Sequence, residues 1–336
     1  MKTGHVDTRT WLKWFVPVFT VLVMLLLAEI GLRAASFAMN KVRGSTYDPE
    51  LGWRLVAGIT KKDYQWCDQL PATTNSAGWR DAEHSFVKPD GVTRIEALGD
   101  SFTFGYGVDF GQRFTEFLEE TMYRTEVINM GVFAYGTDQE VRVYELYGRQ
   151  YKPDIVILNV YLGNDIDDLR WKVIHSWPKP YFVPESGGLR LVKPEQAWSI
   201  FMRTHSYLAE LVLQLLERGK RFSLMADDLR DADMVKLFYA LVGRLSADVT
   251  ADNAKLLVVL YYPRDATSDE QAVYMNISRE LSAQGHAVLD LYSAFNGLTE
   301  MASALYLEDG HLSPAGHRLA ADMIRKDLIE RRWVSQ

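Results

Sequence analysis

The chain has 336 residues, 48% of them hydrophobic and 24% charged, an ordinary globular composition with room for one large domain and additional segments. The net charge of −7 is spread over both signs, and the basic residues form no stripe interleaved with aromatics, which argues against a nucleic acid as partner. A single cysteine, Cys67, cannot close an internal disulfide and so says nothing about the redox compartment.

At the N-terminus, Phe15 to Ala28 (FVPVFTVLVMLLLA) is apolar and uncharged, flanked by Lys2, Arg9 and Lys13 before it and by Glu29 and Arg33 after it. Trp11 and Trp14 suit a membrane interface, and residues 11–32 are long enough to span a bilayer. We therefore expect residues 1–36 to form an uncleaved, single-pass anchor. A cleaved signal peptide is the rival, but Arg33-Ala34-Ala35-Ser36 offers only a late, poor cleavage site. Arg33, Lys41 and Arg43 follow the span, so the positive-inside rule barely decides its orientation.

Residues 37–92 are aromatic and turn-rich, with Tyr47-Asp-Pro-Glu-Leu-Gly-Trp53-Arg and Asn75-Ser-Ala-Gly-Trp79-Arg; they read as a structural collar. From residue 93 strand and helix patterns alternate. Strands are predicted near 94–99, 126–130, 154–161, 255–262 and 287–292, and helices near 112–124, 137–150, 268–284 and 314–331. Such alternation predicts a parallel sheet covered on both faces. Residues 166–251 interrupt it as an expected insertion over the mouth of the site. It contains a hairpin over Tyr181 to Val192 turning at Ser-Gly-Gly, and an amphipathic helix over Tyr207 to Arg218. Trp171, Trp177, Tyr181 and Phe182 either line an acyl or sugar site or form the insertion's own small core.

Chemistry concentrates at predicted strand ends. The strand TRIEALG ends in Gly99-Asp100-Ser101 just ahead of a helix, where open α/β sheets bind ligands and amide N–H groups stabilise an oxyanion. The same tripeptide is also an ordinary turn, in which Gly allows an unusual φ and Asp or Ser bonds nearby backbone. The apolar run DIVILNVY ends in Gly163-Asn164-Asp165, and Glu308-Asp309-Gly310-His311 precedes a helix starting at Pro314. A nucleophilic serine needs a base, a carboxylate to orient that base, and donors for the oxyanion. Ser101, His311, Asp309 or Glu308, and Asn164 fill those roles.

Competing motifs are weaker. Gly99-Asp100-Ser101-Phe102-Thr103 is not G-x-S-x-G. Gly105-Tyr-Gly107-Val-Asp-Phe-Gly111 misplaces the last glycine of a dinucleotide fingerprint and reads as a loop. No Walker sequence and no zinc spacing of Cys or His is present, so neither cofactor nor metal is expected. His317, inside the last predicted helix, reads as a surface or supporting residue.

Four segments together resemble the motif blocks of the SGNH hydrolases, also called GDSL-type esterases and lipases. They are Gly99-Asp100-Ser101, Asn129-Met-Gly131-Val-Phe-Ala134-Tyr-Gly136-Thr-Asp-Gln139, Gly163-Asn164-Asp165, and Asp309-Gly-His311-Leu-Ser-Pro-Ala-Gly-His317. They occur in the family's order over residues 94–332. The resemblance implies a flavodoxin-like α/β/α sandwich and acyl-ester chemistry through Ser101 and His311, with the Ser101 and Ala134 N–H groups and Asn164 holding the oxyanion. Ala134 stands where the family usually has glycine, with Gly131 and Gly136 to either side. Asp309 is preferred to Glu308 as the acid because its short side chain suits the tight turn and it matches the Asp-x-His form of membrane-anchored relatives. By the same resemblance the catalytic domain, residues 93–336, faces the periplasm or the cell exterior. The expected activity is a serine esterase acting on an acylated carbohydrate or lipid. The alternatives are an O-acyltransferase using the same site on an envelope or exported polysaccharide, and a non-catalytic interaction protein on a membrane stalk.

Overall fold

The computed structural model describes residues 8–38, 44–59, 73–174, 177–194, 198–217, 231–296 and 302–334; Cys67 lies outside them. In chain order the elements begin with α1 (Thr8–Ala38), β1 (Ser45–Asp48), β2 (Gly52–Leu55), β3 (Thr93–Leu98), α2 (Ser101–Phe104), α3 (Phe114–Thr121), β4 (Thr125–Asn129), α4 (Thr137–Leu146) and β5 (Ile155–Tyr161). There follow β6 (Val173–Ile174), β7 (Trp177–Pro178), β8 (Tyr181–Glu185), β9 (Gly188–Val192), α5 (Trp198–His205), α6 (Tyr207–Glu217) and α7 (Asp231–Ala251). The chain ends with β10 (Lys255–Tyr261), α8 (Ser268–Ala283), β11 (Ala287–Asp290), α9 (Tyr292–Asn296), α10 (Ala302–Leu305) and α11 (Pro314–Glu330).

Five strands form one parallel sheet in the order β11-β10-β5-β3-β4. Numbered within the sheet this is 2-1-3-4-5, the flavodoxin-like order, whose topological switch point lies between β3 and β5. Strand periodicity divides the core. Ile95, Ala97, Val127, Ile155, Ile157, Leu257 and Val259 point to the face covered by α3 and α11, where Phe117, Leu118, Ala320, Ile324 and Leu328 are buried. The alternate residues Val156, Leu158, Val258 and Leu260 are equally buried on the opposite face, beside which α4 packs on α7 and α7 on β10. A strand buried on both sides reads as a continuous apolar run, which is why β5 and β10 stand out in the sequence.

The expected insertion is shorter than 166–251. Its last part, α7, buries Leu237, Phe238, Leu241, Leu245 and Val249 and covers the sheet, so it is the crossover helix between β5 and β10. The hairpin is present as β8–β9. Its aromatics act as core: Trp177 is buried with its ring 5.6 Å from Tyr47, and the buried Phe182 ring lies under the Arg244 guanidinium at 5.0 Å. Tyr181 is half-buried under Lys172, and Trp171 is half-buried as well.

A separate unit comprises α1, α5 and α6. Within α1, Lys13–Ala35 is long and apolar enough to cross a membrane, with a mean hydropathy of 2.4; a signal sequence near an N-terminus meets the same measure. The charges at the end of this run are used locally. The Glu29 carboxylate accepts from Ser206 Oγ and the Leu208 N–H, both at 2.9 Å, at the start of α6, and Arg33 pairs with Glu29 at 2.7 Å.

Candidate active site

Ser101 is the first residue of α2, directly after β3. Gly99 must be glycine here: it adopts φ +153°, and a Cβ would lie 2.2 Å from Thr103 Oγ1. Asp100 caps the short helix by accepting the Phe102 N–H at 2.8 Å. The nucleophile candidate is thus set at the carboxyl end of β3, on one side of the switch point. Across it, Asn164 follows the end of β5.

The base candidate arrives from the other end of the chain. A bridge between Tyr306 and Leu312 closes the loop that carries His311, Leu307 N–H donates to the His311 carbonyl at 2.7 Å, and Asp309 Oδ1 accepts the His311 N–H at 3.1 Å. Ser313 caps α11 through the Gly316 N–H. His311 Nε2 lies 3.0 Å from Ser101 Oγ. The same hydroxyl is 3.2 Å from Asp100 Oδ2. Burial pushes the Asp100 carboxyl up, towards the neutral form that competes poorly for the serine proton.

Of the two acid candidates, Asp309 Oδ2 is 3.2 Å from His311 Nδ1. The approach is off the hydrogen-bond line, so Nδ1 has no hydrogen-bond partner in this conformation, and the Asp309 side chain is 49% exposed. Glu308 is exposed and makes no bond to the imidazole. Catalytic hydrogen bonds are often loose before substrate binds.

The oxyanion candidates are placed around the same point. Gly131 packs on Thr103 and Phe104, and Gly136 on Asp168 and the Asp165 carbonyl, so the segment bearing Ala134 runs from α2 to the Asn164 loop. Ala134 has φ +60°, the left-handed conformation that favours glycine and costs an L-residue about 1–2 kcal/mol. Its N–H donates to no acceptor among the described residues, and it is half-buried between buried neighbours. Asn164 Nδ2 donates to Asp168 Oδ2 at 2.8 Å, which orients the amide and leaves its second proton for another acceptor.

His317 is not a surface residue. It is 1% exposed, stacks on Phe114 and accepts the Phe114 N–H at Nδ1. Burial, with Arg113 and Arg80 nearby, lowers its pKa to about 3, so it is a neutral tie between α11 and α3. Among the described residues no group of three His, Cys, Asp or Glu side chains is arranged to hold a metal.

Two sets of residues around the site escape sequence reasoning. Beneath Asn164 lie Asp138, Glu140, Asp165 and Asp168, with the Lys179 ammonium bound to both Asp138 oxygens at 2.7 Å. Burial pushes all four carboxyls up, Asp168 to about 7. Behind α2, the collar residue Arg80 donates to the carbonyls of Phe104 (2.9 Å), Gly105 (2.6 Å) and Val108 (2.7 Å). Asp81 accepts the Asn129 N–H at 2.7 Å and pairs with Arg113 at 3.3 Å and His84 at 3.0 Å. In the sequence these look like ordinary surface charges, and only their burial marks them.

A serine–histidine pair at the switch point of a flavodoxin-like sheet defines a class of site suited to acyl transfer. The sequence model of the GDSL-like lipase/acylhydrolase family matches residues 97–319, and the chain belongs to that family. No curated protein matches it. Among solved structures it is similar to a lipase/acylhydrolase from Enterococcus faecalis, at 14% identity over 71% of this chain and 97% of that one, TM-score 0.45. It is similar as well to an esterase from Pseudoalteromonas sp. (13%, 71% and 98%, TM-score 0.44) and to an acetylxylan esterase from Geobacillus stearothermophilus (14%, 74% and 100%, TM-score 0.45).

Proposed function

We propose that the protein is a serine esterase that cleaves an acyl ester of a carbohydrate or lipid. The observation that carries this reading is the 3.0 Å contact between Ser101 Oγ and His311 Nε2. Ser101 attacks the acyl carbonyl while His311 Nε2 takes its proton, and the tetrahedral oxyanion is met by the Ser101 and Ala134 N–H groups and by Asn164 Nδ2. As the intermediate collapses, the alcohol leaves with the proton held on His311. Water then attacks the acyl-Ser101 ester and gives its proton to His311, which passes it to Ser101 Oγ as the acid leaves, restoring both residues. Asp309 faces Nδ1 and stabilises the imidazolium that forms in each half. On this reading α1 anchors the chain, with the catalytic unit outside the cytoplasm.

A fluorophosphonate probe applied to the full-length protein in detergent tests the assignment. Wild type is labelled and Ser101→Ala is not. Equal labelling of both rejects Ser101. Mass analysis of products from an activated acetyl ester, with and without an oligosaccharide, distinguishes free acetate from acetylated sugar, the product of the transferase alternative.

A further inference from the structure

Tyrosines that no step above uses gather at the carboxyl ends of β5, β10 and β11. Tyr161 closes β5 and pairs with Tyr261 of β10 across the ladder. Its ring stacks on Phe102, the residue after Ser101, with centroids 4.1 Å apart, and a Cβ on Gly163 would come within 2.6 Å of the same ring. Tyr161 is therefore fixed between the neighbours of the nucleophile and of Asn164. Tyr306, on the loop that carries His311, lies 5.8 Å from Phe295. With Tyr261, Tyr262 and Tyr292 it lines a cavity of about 10 Å³. Tyr274 of α8 meets Tyr262 edge-on at 5.6 Å.

The hydroxyls fall into two groups. Those of Tyr261, Tyr262 and Tyr292 donate to Asn159, Asp290 and Gln271, at 3.3, 2.7 and 2.8 Å. Among the described residues those of Tyr161, Tyr274 and Tyr306 have no hydrogen-bond acceptor, although Tyr161 and Tyr306 are largely covered. Tyr161 is within electrostatic range of both Tyr274 and Tyr306, the exposed Asp265 is within range of Tyr161 and Tyr274, and Arg264 is within range of Tyr306. Burial keeps the phenols protonated, Tyr306 with a pKa pushed up to about 12, so all three are neutral donors.

We infer that Tyr161, Tyr274 and Tyr306 form the subsite for the alcohol half of the ester, and that this half is a carbohydrate. The inference rests on the ester-hydrolase reading and decides between its two substrate classes. An alkyl chain packed here would strip water from three hydroxyls and return no hydrogen bond, the costly case for a buried polar group. A sugar offers acceptors to each phenol and a C–H face to the aromatic rings, and its own hydroxyls can donate to Asp265.

The test uses full-length protein in detergent and two esters: monoacetylated methyl glucosides and 4-nitrophenyl acetate. The quantity read is the ratio of kcat/KM for the sugar ester to kcat/KM for the nitrophenyl ester. Tyr161→Phe combined with Tyr306→Phe is expected to lower this ratio at least tenfold, chiefly through KM for the sugar ester, and Tyr274→Phe to lower it severalfold. An unchanged ratio overturns the subsite. Calorimetric titration of Ser101→Ala with the same glucosides reads binding without turnover, and adding the two Phe substitutions should weaken it at least fivefold. A wild type that cleaves neither ester, while Ser101→Ala binds the glucosides in a Tyr161-dependent way, rejects the hydrolase reading and keeps the subsite. A wild type that cleaves only the nitrophenyl ester rejects the subsite and keeps the hydrolase.

Discussion

The two loops that meet at the Ser101–His311 contact are held in opposite ways. The nucleophile loop is gripped from behind by buried charge: Arg80, Arg113 and Asp81 are 2%, 0% and 7% exposed, and between them they bind the carbonyls after α2 and the backbone of Asn129. The histidine loop is held by a bridge, local turns and the rings of Phe102 and Tyr106 beside His311, with the Asp309 side chain half in water. A fixed nucleophile preserves the geometry of attack, where small misplacements are costly. A base on a more open loop can turn between Ser101 and the leaving alcohol.

The contrast can be broken from either side, and the largest effect is expected at the contact itself. His311→Ala should cost about 10⁵-fold in kcat, because nucleophile and base act as a unit, and combining it with Ser101→Ala should cost little more. Steady-state rates on 4-nitrophenyl acetate check both. A double variant much slower than either single one would show that the two residues act independently.

On the open loop, Asp309→Asn should lower kcat about 10²-fold, short of the ~10⁴-fold that follows loss of a buried triad acid, while Glu308→Gln changes it less than about twofold. The reverse ranking transfers the role to Glu308. On the gripped loop, Arg80→Lys replaces a planar fork with a point charge and leaves carbonyls of the α2 loop unpaired. We expect kcat to fall about tenfold with KM nearly constant, and the melting temperature to drop. A change in KM alone would mean that Arg80 does not position Ser101.

His84 belongs to the same buried grip. Burial opposes its charge, but the Asp81 and Glu126 carboxylates outweigh that and raise its pKa from 6.5 to about 9. Because the folded form binds the proton more tightly, the stability it adds is fully present below pH 6.5 and is lost as pH rises through about 9. His84→Gln should therefore be most destabilised relative to wild type near pH 6, with the gap closing by pH 10 in denaturant melts. A gap independent of pH would show that folding leaves the His84 pKa unshifted. The smallest expected effect is at Ala134. Glycine there relieves a left-handed strain of about 1–2 kcal/mol and adds back about 0.5–1 kcal/mol of unfolded-state entropy, so Ala134→Gly should raise the melting temperature by about 2 °C.

Legibility followed periodicity and local chemistry. β5 and β10 were readable because strands buried on both faces are uninterrupted apolar runs, and Pro314 marked the start of α11 because proline is favoured in a helix's first turn. The helix α7 was absorbed into the insertion because the long interval before it obscured the strand–helix alternation. Sequence leaves His317 as either a surface or a supporting residue, because a buried and an exposed histidine in a helix have the same signature, and its burial against Phe114 decides for the second.

The sequence by itself determined the strand–helix alternation from residue 93, the apolar N-terminal run, and the candidates Ser101, Asn164, Asp309 and His311, since each depends on neighbours in the chain; Ala134 came only with the family resemblance. Tertiary structure decided what depends on residues far apart: the pairing of Ser101 with His311, the left-handed turn at Ala134, the hold of Arg80 on the α2 loop, and the meeting of Tyr161 with Tyr306. Charge and hydroxyl chemistry are legible in a sequence, but whether a group is solvated or buried, and against which partner, is fixed only when the sheet order brings the strand ends together.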